Sequence, residues 1–135
     1  MSNLPIFDVA GSAMGAQSLR LNTVASNLAN ADSVAGSPDA VYRAKQPVFS
    51  AEAVGNDPAL AGVRVTEVRE SDAAPLKRYE PNHPLADAQG YVYAPDVDPV
   101  AQMVDMISAS RSYQANVEVF NTARELAVAT LGMGK

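Results

Sequence analysis

The sequence predicts an α+β protein: long N- and C-terminal helices paired as an elongated coiled-coil hairpin, with a small β-rich insert between them. Three observations lead there. Apolar residues recur at alternating three- and four-residue intervals near both ends of the 135-residue chain, whereas the middle is Pro-rich with short alternating runs. Helix boundaries are marked by Pro5 at the start and by Asp98, Pro99 and Gly132 around the last segment. From Ser18 to Ser33 the chain carries apolar residues and amides but no acid until Asp32. The expected divisions are residues 1–33 for the first helix, 34–96 for the β-rich middle and 97–135 for the last helix.

The first helix should begin near Leu4, with Asn3 as its cap and Pro5 in the first turn, where a missing N–H costs nothing. Phe7, Ala10, Met14, Leu21, Val24, Leu28 and Ala31 form its seam, interrupted by Gln17. Asp8 and Arg20 are its only charges. The other polar positions hold Ser12, Gln17, Ser18, Asn22, Thr23, Ser26, Asn27 and Asn30. A surface helix usually turns charge to water, so small neutral groups predict that the back of this helix also meets protein. Gly11 and Gly15 form a GxxxG, which suits close helix packing better than a membrane in so polar a helix.

Gly36 and Pro38 end the helix in a loop over Asp32 to Ala40. Tyr42 to Ser50 reads as an edge strand containing Pro47, followed by a polar loop with Gly55, Asp57, Pro58 and Gly62. Val63, Val65 and then Val68 change phase, which predicts a strand with a bulge near Thr66 or Glu67. Leu76 to Glu80 and Gly90 to Ala94 are further strand candidates, and together the four could make a small twisted β-domain. Asp98 caps the last helix, Pro99 starts it and Gly132 stops it. Its seam should be Met103, Met106, Ser110, Tyr113, Val117, Phe120, Arg124, Ala127 and Leu131. At about 33 residues it would reach about 50 Å, beyond the roughly 35 to 40 Å diameter of a compact chain of this length. An elongated shape with an uncharged outer face invites lateral association. Because each helix buries only part of its seam in a lone hairpin, weak order is expected at both ends of the free chain.

A net charge of −5 with scattered basic residues argues against nucleic acid. The absence of cysteine excludes disulfides and thiolate chemistry. The opening MSNLPIFDVAG has no basic segment before an apolar run, so a cleavable signal is not expected, and no apolar run is long enough to span a bilayer. His83 lies between Pro81 and Pro84 and is a turn residue first. Asp96 and Asp98 could contribute to a cation site, but capping accounts for Asp98. Arg111 and Tyr113 could mark a site, although interhelical hydrogen bonding is favoured because no nucleophile or base lies near in sequence. No catalytic residue, cofactor, metal or small-molecule substrate is expected.

IFDVAGSAM and RLNTVASNLANADS in the first helix, YRAKQPVF after it, YEPNHPLADAQGYVYAPDVD before the last helix and MISASRSYQANVEVFNTAREL within it resemble the bacterial flagellar basal-body rod proteins, and among them the proximal rod members. The resemblance spans nearly the whole chain. Asn82 and Val41 depart from it, standing where the family commonly has glycine and proline; Asn82 can keep a left-handed turn, and Val41 would loosen the approach to the strand. The resemblance implies a structural subunit of the hollow shaft that crosses the periplasm and transmits torque. It also implies export through the flagellar type III apparatus without a cleaved signal. As partners it implies other rod proteins, copies of the chain itself and the membrane-ring junction proteins at the rod base. It implies that Leu21, Asn22, Ala25, Asn27, Leu28, Ala29 and Asn30, with Arg111, Tyr113, Ala115, Asn116, Val117 and Asn121, form the packed core of the tube, with the β insert outside. The seam residues Phe7, Met14 and Phe120 complete the expected assembly interface. The alternatives are an enzyme using Asp96, Asp98 and His83, and a soluble helical adaptor or export chaperone.

Overall fold

A computed structural model describes residues 4–57 and 59–134; the expected cap Asn3 and the loop residue Pro58 lie outside the described residues. Helix α1 spans Pro5–Asn30 and helix α2 spans Pro99–Met133. Between them come a single 3-10 turn at Pro38–Ala40, strands β1 (Lys45–Ala53) and β2 (Ala61–Glu70), and strands β3 (Leu76–Tyr79) and β4 (Tyr91–Ala94). The class is α+β, and the strands between the helices form two separate antiparallel hairpins. Ser71 to Pro75, in no regular structure, separates them.

Local chemistry explains the boundaries. Leu4 takes the N-cap position of α1 without a side-chain bond, and Pro5 supplies the preset φ of the first turn. Asp98 accepts a hydrogen bond from the Val100 amide at 2.9 Å, capping α2 as expected. Gly132 does not stop α2; the helix continues to Met133 and ends at Gly134. In the first hairpin Val48 faces Glu67 and Phe49 faces Val65, which leaves Thr66 as the bulged residue. Its hydroxyl donates to the Val48 carbonyl at 3.1 Å, so the bulge retains a cross-strand bond. Pro47 tolerates its place because β1 has a neighbour on one side only.

The helices run antiparallel, as three contacts along their length show. Phe7 packs edge-on against Phe120 with ring centroids 4.9 Å apart, Arg20 pairs with Asp105, and Asn27 bonds Gln102. The β1–β2 hairpin lies along another side of α1. It is seated by Ser12, whose hydroxyl accepts from the Val63 amide at 3.1 Å and donates to the Val9 carbonyl at 2.9 Å. Gly62 makes this approach possible, since a Cβ there would stand 2.8 Å from the Ser12 oxygen. Helix α1 therefore lies between α2 and a hairpin. Its neutral polar residues are largely accounted for inside the chain, and among those eight only Ser18 and Asn22 are exposed.

The second hairpin sits where α1 ends and α2 begins, held by paired backbone bonds between Ala35 and Tyr93 of 2.8 and 2.9 Å. Its long turn is organised by Asp87, whose carboxylate accepts from the Tyr91 and Gln89 amides at 2.9 Å and from the Tyr93 hydroxyl at 3.1 Å. Gly90 closes the turn at φ +85, a conformation that side chains resist. His83 is a turn residue, its Nδ1 accepting from the Leu85 amide at 3.0 Å. Asn82 keeps its turn without a left-handed backbone, because among the described residues only glycines have positive φ. Val41 is buried, so it secures the approach to the strand and does not loosen it.

The core is thin. Ala10, Ala16, Val24, Ala31, Val41, Val92, Ala94 and Ala109 are its buried apolar members, and Val92 is the largest side chain wholly removed from solvent.

Candidate functional site

The face that α2 turns to α1 follows the expected seam in part, with Met106, Ser110, Val117, Phe120 and Ala127 half-buried. Gln102, Asp105, Met106, Ala109, Ser112, Asn116, Phe120, Ala123 and Ala127 are buried or half-buried, whereas Met103, Tyr113, Arg124 and Leu131 are exposed. The packed stripe also widens to Gln102, Asp105, Ala109, Ser112, Asn116 and Ala123. Ala109, Ser112, Asn116 and Ala123 permit a close approach to α1 beside Met106 and Phe120, while Met103, Tyr113 and Leu131 remain outside.

Two outer stripes result. On α1, Gly15, Ser18, Asn22, Ala25 and Ala29 are exposed at helical spacing without a charge among them. On α2, Val100 (68 %), Val104 (62 %) and Ile107 (56 %) are exposed on one face, and near its end Leu126, Val128, Leu131 and Met133 stand in solvent. The helix offset set by the Phe7–Phe120 contact leaves roughly the last ten residues of α2, about 15 Å, beyond the start of α1. The overshoot expected from helix length is present. Gly11 and Gly15, expected to mediate close packing, face open space: a Cβ added to either would meet no atom within 4 Å.

The expected interface residues divide accordingly. Asn22, Ala25 and Ala29 are exposed, as are Arg111, Tyr113, Ala115 and Asn121. Phe7, Met14, Leu21, Leu28 and Asn30 on α1, with Asn116, Val117 and Phe120 on α2, are half-buried in the folded chain. Asn27 is 3 % exposed and fully engaged within the chain. Its amide nitrogen donates to the Lys45 carbonyl at 2.8 Å and to Gln102 Oε1 at 3.0 Å, and its oxygen accepts from the Lys45 amide at 2.8 Å and the Tyr42 hydroxyl at 2.9 Å. Sequence reasoning missed Tyr42, Lys45 and Gln102 as partners, since nothing in local spacing links them to Asn27. The available signal was Asn27 itself, an amide beside the apolar seam.

Among the described residues nothing resembles a reaction centre. Asp98 is a helix cap, His83 serves its own turn, and no group of three or more described His, Asp or Glu residues could hold a metal. Asp87 is held below its ordinary pKa, first by the Tyr91 amide, and its contact with the Tyr93 hydroxyl raises the pKa of Tyr93; both effects belong to the turn. No described helix is long and apolar enough to cross a membrane.

A family model for flagella basal body rod proteins matches residues 7–36, and one for the C-terminal part of flagellar basal body rod FlgEFG proteins matches residues 88–133. Over all 135 residues and the whole of both chains, the protein is 56% identical to the flagellar basal-body rod protein FlgC of Salmonella typhimurium. The chain belongs to the FlgC family of flagellar basal-body rod proteins. FlgC of Yersinia enterocolitica is 53% identical over the same span, and that of Aquifex aeolicus 45% identical over 121 residues, 88% of this chain and 87% of its own. Membership makes this FlgC-family chain a structural subunit of the flagellar basal-body rod and not an enzyme. The first family match covers most of α1 and the second all of α2, so both helices with exposed stripes lie in matched segments.

Proposed function

We propose that the chain builds the proximal part of the rod, packing against copies of itself and other rod proteins, with its base against the membrane-ring junction proteins, in the periplasm. It reaches that site through the flagellar type III apparatus without a cleaved signal and transmits torque once assembled. Residues 1–33 and 97–135 form the tubular core and 34–96 the outer part. Asn22, Ala25, Ala29, Arg111, Tyr113, Ala115 and Asn121 meet neighbours directly. Phe7, Met14, Leu21, Leu28, Asn30, Asn116, Val117 and Phe120 hold the helix pair that presents them. The coiled-coil register predicted for α2 is completed between chains, where Met103, Tyr113 and Leu131 find partners.

The observation that carries this is the pairing of an uncharged, small-residue stripe on α1 with an exposed apolar stripe on α2 of the same elongated chain. A solitary protein gains nothing from leaving large apolar side chains in contiguous solvent-facing rows. Ala25→Glu tests it. Because Ala25 is exposed, the variant should keep the wild-type circular dichroism and lose no more than about 0.5 kcal/mol of stability, while cells carrying it fail to swim. Swimming at the wild-type rate would return the chain to the soluble adaptor or export-chaperone reading.

A further inference from the structure

The family resemblance places Asn27 in the interior of an assembled tube, yet every hydrogen-bonding position of its amide is used inside one chain. The pattern is specific. The carboxamide presents an N–H and a C=O to the C=O and N–H of Lys45, as a neighbouring strand would, so α1 supplies a one-residue extension of the ladder at the start of β1. The second N–H reaches Gln102 in the first turn of α2, and the second lone pair takes the Tyr42 hydroxyl, whose oxygen also lies 3.0 Å from Ser26 Oγ. One side chain on α1 thus joins β1 and α2, whose bonded residues are 18 and 75 positions away in sequence.

We propose that Asn27 is a coupling pin, making the seating of the β1–β2 hairpin and the pairing of α2 with α1 a single cooperative event. Half-formed, the junction leaves the Asn27 carboxamide short of partners: docking β1 without α2 leaves one N–H without Gln102, and closing α2 without β1 leaves the other N–H and the C=O without Lys45. Either half therefore favours the other. Arg20, two turns from Asn27 on α1, pairs with Asp105, about one turn from Gln102 on α2, and fixes the same register, so α2 cannot slide to satisfy Gln102 elsewhere without breaking that ion pair. All of these contacts lie within one chain, and the coupling holds or fails independently of what the chain assembles into.

The test is residue-resolved amide hydrogen exchange on the full-length chain, reading the Lys45 amide, which donates to Asn27, in the wild type and in Gln102→Ala. Gln102 lies on α2 and reaches β1 through Asn27, and its half-exposed position makes the variant mild. Expected is a loss of about tenfold in Lys45 protection, matched by the amides of β1, together with the loss in α2. Asn27→Asp, which keeps the acceptor and removes both donors, should lower the two elements' protection together, and Asn27→Ala more so. Unchanged Lys45 protection in Gln102→Ala, or a Lys45 amide that is unprotected in the wild-type chain, would overturn the proposal.

Discussion

Three residues carry consequences that can be measured singly. Asn27→Ala removes a buried carboxamide and leaves the Lys45 backbone groups without their partner, and should destabilise the chain by about 2 kcal/mol in chemical denaturation, far more than a surface amide would. Gln17 is the opposite case: its Oε1 is buried without a donor at the very position where the α1 seam is interrupted. Gln17→Met keeps the volume and removes the orphan acceptor, so stability should rise by about 1 kcal/mol. A fall would mean that the oxygen is satisfied in solution. At Asp87 the folded pKa is lowered, so its contribution is present above the unfolded carboxylate value near ~3.9 and is lost as pH falls through the folded one. Amide shifts of Gln89 and Tyr91 should follow that titration, and Asp87→Asn should abolish it. Asn27 also shows where sequence reasoning runs out: its burial was legible from an amide beside an apolar seam, but its partners are set by long-range closure that no local pattern encodes.

At the scale of elements, the helices were legible because caps and periodicity are local: Asp98 and Pro99 fix the start of α2, and the Thr66 bulge follows from the phase change between Val65 and Val68. The face of α2 was legible only in part. Apolar spacing ranks positions by hydrophobicity and finds Met106, Val117 and Phe120, whereas the packed face also takes small residues, with Ala109 wholly buried and Met103 left half-exposed. The division of the strands into two hairpins escaped for a related reason, since strand propensity does not say which strands pair. Gly15 gives a prediction at this scale. It sits mid-helix with open space around it, so Gly15→Ala should stabilise the free chain by about 0.5–1 kcal/mol through helix propensity. The same substitution adds a methyl to the stripe assigned to neighbours, so it should also weaken incorporation into the rod, read as the amount retained in purified basal bodies.

As a whole, the described residues make a bundle of three rods, α2, α1 and the β1–β2 hairpin, with a small second hairpin at one end and a length of α2 reaching past Pro5 at the other. A core of Ala and Val side chains gives little stabilisation per residue, since burial scales with apolar area. The junction around Asn27 and the Ala35–Tyr93 bridge lie at one end, whereas the far end relies chiefly on the Phe7–Phe120 contact. The loop between β1 and β2, from Val54 to Leu60, projects toward that far end, because β1 leaves Asn27 and β2 returns beside Ser12. Its turn is made by Gly55 at φ +70 and by a backbone bond of 3.0 Å from Val54 to Leu60, and Gly55, Asn56, Asp57 and Ala59 are exposed. Such a tip accepts foreign sequence. A short epitope spliced between Gly55 and Asn56 would be displayed on the outside of the shaft in this arrangement, so antibody-bound gold could mark the subunit's height along intact basal bodies without touching either helix.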